Sequence, residues 1–231
     1  MLKNRFILET VADGLGDMLE QFVFVGGTVV ELYAASDTYQ EARQTDDVDC
    51  IVEVTSLANY YVLEEKLRSL GFYDDMSEEA PICRKLYRNI KVDIMPTEEH
   101  ILQFSNQWYK EGFVYAQNYA LSSEKQIKIL TPPYFIAAKL EAFFSPYRQY
   151  NLDVYASHDF EDIIYILDNC AKIEALIANA NKTVRTFIRD KFLYLLENKP
   201  VMYAFNGILR DDENEERVLS IFKNISYNSI T

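Results

Sequence analysis

Between Lys3 and Glu20 the apolar residues Phe6, Ile7, Val11, Leu15, Met18 and Leu19 recur at helical spacing, which predicts a helix over 3–20. The all-apolar run Phe22-Val23-Phe24-Val25 reads as a buried strand, stopped by Gly26-Gly27. A second helix is expected to open at Thr28, placed as an N-cap, and to run through Val29, Val30, Leu32 and Tyr33. A polar segment, 36–46, precedes a strand over 48–54 and a helix over 56–70, with Gly71 where a C-cap glycine belongs. The stretch 82–95 predicts a hairpin turning near Arg88-Asn89, and further strands are expected over 113–121 and 126–130. From Pro132-Pro133 onward the pattern turns helical, over about 133–145, 157–169, 172–198 and 212–225.

Strands early and helices late predict an α+β fold: an α+β module over 1–131, followed by a C-terminal helical module over 132–231. The chain has 231 residues, 49% of them hydrophobic and 26% charged, a composition that excludes a disordered or collagen-like polymer. No apolar run reaches the ~18 to 20 residues of a membrane span, so no membrane partner and a cytoplasmic location are expected. The three cysteines, Cys50, Cys83 and Cys170, show no CxxC spacing, which argues against a disulfide framework or structural zinc.

With 36 acidic against 23 basic side chains the net charge is −13, which offers nucleic acid no long-range attraction. Any polyanion would have to be met locally, by Arg84, Lys85, Arg88 and Lys91 in the hairpin or by Lys182, Arg185 and Arg189 on one helical face. Both sets read equally as solvated faces balancing nearby acids.

There is no GxxxxGK[ST] loop, GxGxxG, GxSxG or HExxH, and His100 and His158 are the only histidines. Histidine-based nucleophile pairs and histidine-rich metal sites are thereby excluded, and hard oxygen ligands remain. Three pieces stand out: Gly26-Gly27 after a buried strand, Arg43-Gln44-Thr45-Asp46-Asp47-Val48-Asp49, and Lys91-Val92-Asp93-Ile94-Met95. Strand alternation sends Asp47 and Asp49 to one side and Val48 into the core. Asp93, an acid interrupting another apolar strand, would complete a cluster if its strand lies beside theirs. Three carboxylates ~5 Å apart repel by roughly 3 kcal/mol per pair at an effective dielectric near 20. A divalent cation offsets that cost. Mg²⁺ (or Mn²⁺) suits carboxylate and phosphate oxygens and would arrive with a nucleoside triphosphate, while backbone N–H groups beside Gly26, Gly27 and Thr28 could approach phosphate closely. Each piece alone also fits a solvated loop, a plain turn or a strand-edge charge; their order is what points to a site.

Gly26-Gly27, Arg43-x-Thr45-x-Asp47-x-Asp49 and the later Asp93 resemble the signature of the nucleotidyltransferase superfamily, and within it the AbiEii-type toxin nucleotidyltransferases of type IV toxin-antitoxin and phage-defence systems. The resemblance continues through Phe104-Ser105-Asn106-Gln107-Trp108-Tyr109, the run from Pro133 to Phe143, and Ser157-His158-Asp159-Phe160-Glu161-Asp162-Ile163, covering about 22–170. It implies a mixed β-sheet with flanking helices. It also implies Asp47, Asp49 and Asp93 as metal ligands, with Asp93 as ligand or base. Gly26, Gly27, Thr28, Arg43 and Thr45 would be the nucleotide-binding residues, Lys139 a lysine near the triphosphate, and Asp159 a catalytic residue, with His158 and Asp162 behind it. One departure is the segment between Ser145 and Asp153, glycine-rich in the family but glycine-free here, which leaves the role of Arg148 open.

Local readings remain for several of these. Lys139 can snorkel from a helix edge, Ser157 and Asp159 can cap and complement a helix N-terminus, and Arg43 and Thr45 can be solvated loop residues. The expected function is Mg²⁺-dependent transfer of a nucleoside monophosphate from an NTP to a hydroxyl of tRNA, protein or a small molecule, by a toxin paired with a cognate antitoxin. The alternative is a catalytically silent nucleotide-binding module acting through protein contacts.

Overall fold

The structure, a computed structural model, describes residues 3–35, 42–122, 125–147, 152–197, 201, 208–209 and 212–227. Two compact units divide it: one takes the described residues of Met1–Leu32 and Arg43–Thr131, the other those of Tyr33–Ala42 and Pro132–Thr231.

In the first unit, helix α1 (Lys3–Leu15) passes through a 3₁₀ turn (Gly16–Gln21) into strand β1 (Phe22–Val25), whose four residues are all buried. A 3₁₀ helix, Gly27–Tyr33, stands where an α-helix capped by Thr28 is expected. Three successive β-branched residues, Thr28, Val29 and Val30, disfavour a regular α-helix there. The Thr28 Oγ1 is buried without a hydrogen-bond partner, so it caps nothing.

Then follow β2 (Asp47–Val52), α2 (Leu57–Ser69), β3 (Tyr73–Asp74), β4 (Arg84–Tyr87), β5 (Ile90–Pro96), the short helices α3 (Glu99–Leu102) and α4 (Tyr109–Val114), β6 (Gln117–Ala120) and β7 (Gln126–Ile129). Ser56 caps α2, its Oγ accepting from Asn59 N, and Gly71 follows at φ +91, the left-handed conformation a C-cap glycine supplies. The predicted strand over 113–121 starts late. An Asx turn at Asn106, whose Oδ1 accepts from Trp108 N, launches α4 first, so pairing begins only at Gln117.

The strands form one mixed sheet in the order β3-β4-β5-β2-β1-β7-β6. The neighbours β2 and β5 are parallel, as are β1 and β7; the other pairs are antiparallel. The β4–β5 hairpin turns on Arg88 and Asn89, both at positive φ (48 and 65), the conformation a two-residue hairpin turn requires. The core face of β2 and β5 carries the buried residues Val48, Cys50, Val92 and Ile94, the valines and the isoleucine each worth about 1.5–3 kcal/mol of apolar burial. Tyr60 on α2 donates to the Ile94 carbonyl at 2.8 Å on that side, and the Tyr87 ring fills the space that a side chain on Gly14 of α1 would need.

The second unit holds helices α5 (Pro132–Phe144), α6 (His158–Asn169), α7 (Ile173–Ala178), α8 (Lys182–Leu196) and α9 (Asp212–Tyr227). The helix predicted over 172–198 is therefore broken between Ala178 and Lys182. Two asparagines mark the break: Asn179 Nδ2 returns to the Ala175 carbonyl at 2.9 Å, and Asn181, which leaves helical conformation at ψ 143 as the residue before α8, bonds the Tyr134 hydroxyl at 3.2 Å. Arg148 lies outside the described residues, as do most of the predicted polar segment 36–46 and residue 198. Among the described residues no helix is long and apolar enough to cross a membrane. The fold is α+β, as the order of strands and helices predicts.

Candidate functional site

Strand register sets the geometry of the first unit's acidic face. Val25 pairs with Asp49 across β1–β2, Asp49 with Asp93 across β2–β5, and Asp93 with Arg84 across β5–β4. Directly paired residues share a face of the sheet, so Asp49, Asp93 and Arg84 lie in one row, with Asp47 two residues along the same face opposite Lys91. Two carboxylates far apart in sequence thus face each other across adjacent strands.

Asp93 is held by an arginine. Arg84 Nε donates to Asp93 Oδ1 at 2.8 Å and Nη2 to Oδ2 at 2.7 Å, a two-bond fork that engages both carboxylate oxygens. The hydrogen bond to Asp93 raises the Arg84 pKa, burial opposes it, and the charges of Asp93 and Asp47 raise it further. The same acids act on the far side of the sheet. Burial and then the charges of Asp93 and Asp49 push the Cys83 thiol up to about 12, which leaves it unreactive as a nucleophile.

Beside this row, Gly26 sits at φ +73, and a Cβ there would fall 1.9 Å from Asp49 Oδ2. A Cβ on Gly27 would meet Thr45 Cγ2 at 2.8 Å and Arg43 Nη2 at 2.9 Å. Gly26 is held to glycine by its backbone conformation and a side chain on Gly27 would make Thr45 or Arg43 shift, so what the bare faces receive in this structure is Asp49, Thr45 and Arg43 rather than an open seat.

Asn4, which sequence reasoning missed, fixes the loop before β2. Its amide donates to the Arg43 carbonyl at 3.0 Å and accepts from Thr45 N at 3.1 Å, as a strand partner would. The available signal was a polar residue on the apolar stripe of α1, in step with Leu8, Val11 and Leu15. Thr45 Oγ1 in turn donates to the Asp47 carbonyl at 3.1 Å, so the loop that carries Arg43 and Thr45 is tied to the first ligand candidate.

The donor chemistry suits a hard divalent cation in a limited sense. Among the described residues no three His, Cys, Asp or Glu side chains form a group that could hold a metal ion by themselves. Mg²⁺, however, is ordinarily bound through one or two carboxylates with water and substrate phosphate completing the octahedron. Asp47 and Asp49 supply donors of that type on one face of β2, and Asp93 stands next in the row inside its fork.

The second unit gathers Lys139, Asp159 and Asp162. The Lys139 ammonium on α5 lies 3.0 Å from Asp159 Oδ1 and 2.6 Å from Asp162 Oδ2 on α6. Burial pulls its pKa down, but the charges and hydrogen bonds of Asp162 and Asp159 reverse this and leave it above the ordinary value. It is a paired buried ammonium and does not snorkel. Ser157 caps α6, its Oγ accepting from Phe160 N at 3.3 Å. His158 stays exposed, its Nδ1 3.3 Å from Glu161 Oε2, apart from the lysine cluster.

Two hairpin cations read in the sequence as candidate polyanion contacts are engaged internally. Arg84 is forked to Asp93, and Lys85 is buried, its ammonium 2.5 Å from Asp74 Oδ1 and also bonded to Glu64. Arg88 and Lys91 remain exposed. On the helical face, Arg185 donates to the Ala178 carbonyl at 2.9 Å and Arg189 to Asp190 at 2.6 Å.

No family model matches the sequence, and no curated protein matches it significantly. Among solved structures, the chain is similar to an antigenic nucleotidyltransferase-like protein from Paracoccidioides brasiliensis, with a TM-score of 0.50, 12% identity, and coverage of 91% of this chain and 95% of that one. A provisionally named nucleotidyltransferase from H. pylori aligns at a TM-score of 0.44 and 12% identity, over 96% of this chain and 93% of that one. At such identity the first likeness speaks to architecture: the chain has a nucleotidyltransferase-like α+β fold.

Proposed function

We propose that the chain transfers a nucleoside monophosphate from an NTP to a hydroxyl acceptor with Mg²⁺. The arrangement that carries this reading is the register pairing of Asp49 with Asp93 on one sheet face, with Asp49 laid against Gly26. Asp47 and Asp49 would hold the ion together with the triphosphate. When bound, the ion would neutralise charge developing on the α-phosphate and the departing pyrophosphate. The acceptor oxygen bonds to the α-phosphorus, the α–β phosphoanhydride breaks, and the hydroxyl proton passes to the Asp93 carboxylate. Arg43, whose guanidinium lies against Gly27, supplies a planar donor fork matched to phosphate oxygens.

The resemblance extends the same reaction to Lys139 and Asp159, and it alone carries the toxin role, a cognate antitoxin, and tRNA or protein as acceptor. Incubation with Mg²⁺, each labelled NTP and either total tRNA or a protein extract is the direct test. Label should move to one acceptor class and fail to move with Asp49→Asn; no transfer by the unaltered chain under any of these conditions would reject the enzyme. The fork on Asp93 favours one rival, a silent nucleotide-binding module. That rival predicts calorimetric NTP affinity indifferent to Mg²⁺ and to Asp49→Asn.

A further inference from the structure

The Arg84–Asp93 fork has no place in the transfer chemistry as written, because it occupies both oxygens of the carboxylate that must accept a proton or a cation. Its geometry is imposed by the ladder. The two residues are direct partners across β4–β5, so the backbone delivers the guanidinium to the carboxylate. Only side-chain rotation can separate them, and rotation is open to a staggered, partly exposed side chain. The Arg84 side chain is 19% exposed, whereas that of its neighbour Lys85, on the other face, is 3% exposed.

Arg84 answers Asp93 with the charge and two-point geometry that a cation chelated by that carboxylate would provide. Mg²⁺ and Arg84 therefore compete for the same two oxygens.

We propose that Arg84 is a positioning residue that stands in for the divalent cation, holding Asp93 in its fork and releasing it only when metal arrives together with a nucleoside triphosphate. The inference rests on the transferase reading and deepens it: the fork weakens the site for free metal and reserves Asp93 for the loaded state. Removing the guanidinium leaves Asp93 unclaimed beside Asp49, which favours a dication. Replacing it by lysine keeps the charge but not the two-bond fork.

The test is Mn²⁺ binding followed by electron paramagnetic resonance, with and without a non-hydrolysable NTP analogue, for the unaltered chain, Arg84→Met, Arg84→Lys and Asp49→Asn. Without nucleotide, Arg84→Met should bind Mn²⁺ roughly tenfold tighter or more than the unaltered chain. Arg84→Lys should fall between them, and Asp49→Asn should lose binding. If Asp49-dependent Mn²⁺ binding is present but Arg84→Met binds no tighter, the stand-in role fails while the transferase reading survives. If no form binds Mn²⁺ in an Asp49-dependent way even with nucleotide, both fail. Nitrogen-15 resonances of the unaltered protein keep the test sound should Arg84→Met not fold. The Arg84 Nε–H signal should move when Mg²⁺ and the analogue are added together and hold still with Mg²⁺ alone; a signal that ignores both overturns the proposal.

Discussion

Arg84 and Lys85 are adjacent on β4 and face opposite sides of the sheet, and the two sides use their cation differently. On the core side Lys85 is buried between Glu64 of α2 and Asp74 of β3, a point charge whose side chain is 3% exposed. On the other side Arg84 forks onto Asp93 in a row that also contains Asp47 and Asp49, at a rim where the side chain is 19% exposed. The first arrangement buries Lys85 and Glu64 and reaches solvent only at Asp74, whose side chain is 38% exposed and also pairs with Arg68. The second holds its cation by a fork at a partly exposed position, from which side-chain rotation can withdraw it. A buried charge is tolerable when satisfied and costly when orphaned, so the sealed face should answer mutation with instability and the rim face with changed binding.

The sharpest test of that contrast is Lys85→Met. It leaves Glu64, itself 8% exposed, as a charge without its counter-ion, and should cost about 3–5 kcal/mol in urea unfolding. A loss below about 1 kcal/mol would mean that water reaches Glu64 and that the core side is no more sealed than an exposed ion pair.

Gly26→Ala strikes the rim face through the backbone. At φ +73 an alanine is strained, a cost of about 1–3 kcal/mol, and its Cβ would land 1.9 Å from Asp49 Oδ2. The carboxylate must rotate away. The expected outcome is a modest stability loss by urea unfolding with abolished Asp49-dependent Mn²⁺ binding; intact binding would show that Asp49 need not rest on Gly26.

How far the sequence revealed these faces can be followed residue by residue. Strand β1, the helix beginning at Ser56, Gly71 and the Arg88-Asn89 turn were legible because each depends on local chemistry. The fork was legible too, though unread: a two-residue turn at 88–89 pairs Tyr87 with Ile90, and counting back sets Arg84 opposite Asp93. Lys85 was misplaced as a surface cation because its partners come from α2 and β3, and no periodicity in the hairpin announces them. The side chains that cover Gly26 and Gly27 were likewise hidden, since a glycine pair states that space is needed without stating what fills it. The break at Asn179 and Asn181 lies inside a stretch of good helical periodicity, which conceals the single change of backbone conformation at Asn181.

Arg84→Met sharpens the comparison from the rim side. Two charged hydrogen bonds are lost and Asp93 is itself buried, but the space vacated by the 19%-exposed Arg84 side chain opens to solvent, so the cost should be about 2–3 kcal/mol, below that of Lys85→Met. Equal costs for the two variants, measured by urea unfolding at one pH, would erase the distinction between the faces.

The smallest expected effect is the acid limb of stability. The Lys85 hydrogen bond chiefly, with Arg68 assisting and burial opposing, lowers the Asp74 pKa from its ordinary 3.8. A carboxyl whose folded pKa is depressed adds stability that is present above the unfolded value and lost as pH falls through the lower folded one. Asp74 should therefore contribute nothing to the pH dependence near neutrality and a shallow downward slope below about pH 3.8. Lys85→Met should flatten that slope, because the largest cause of the depression is gone. Arg84→Met should leave the Asp74 contribution in place, since Arg84 is not among its causes. Urea midpoints taken from pH 5 downward for the three proteins would read it directly, with Asp74→Asn marking the contribution of that carboxyl. If Arg84→Met flattens the limb as much as Lys85→Met does, the two faces are coupled electrostatically through the sheet and cannot be treated as separate networks.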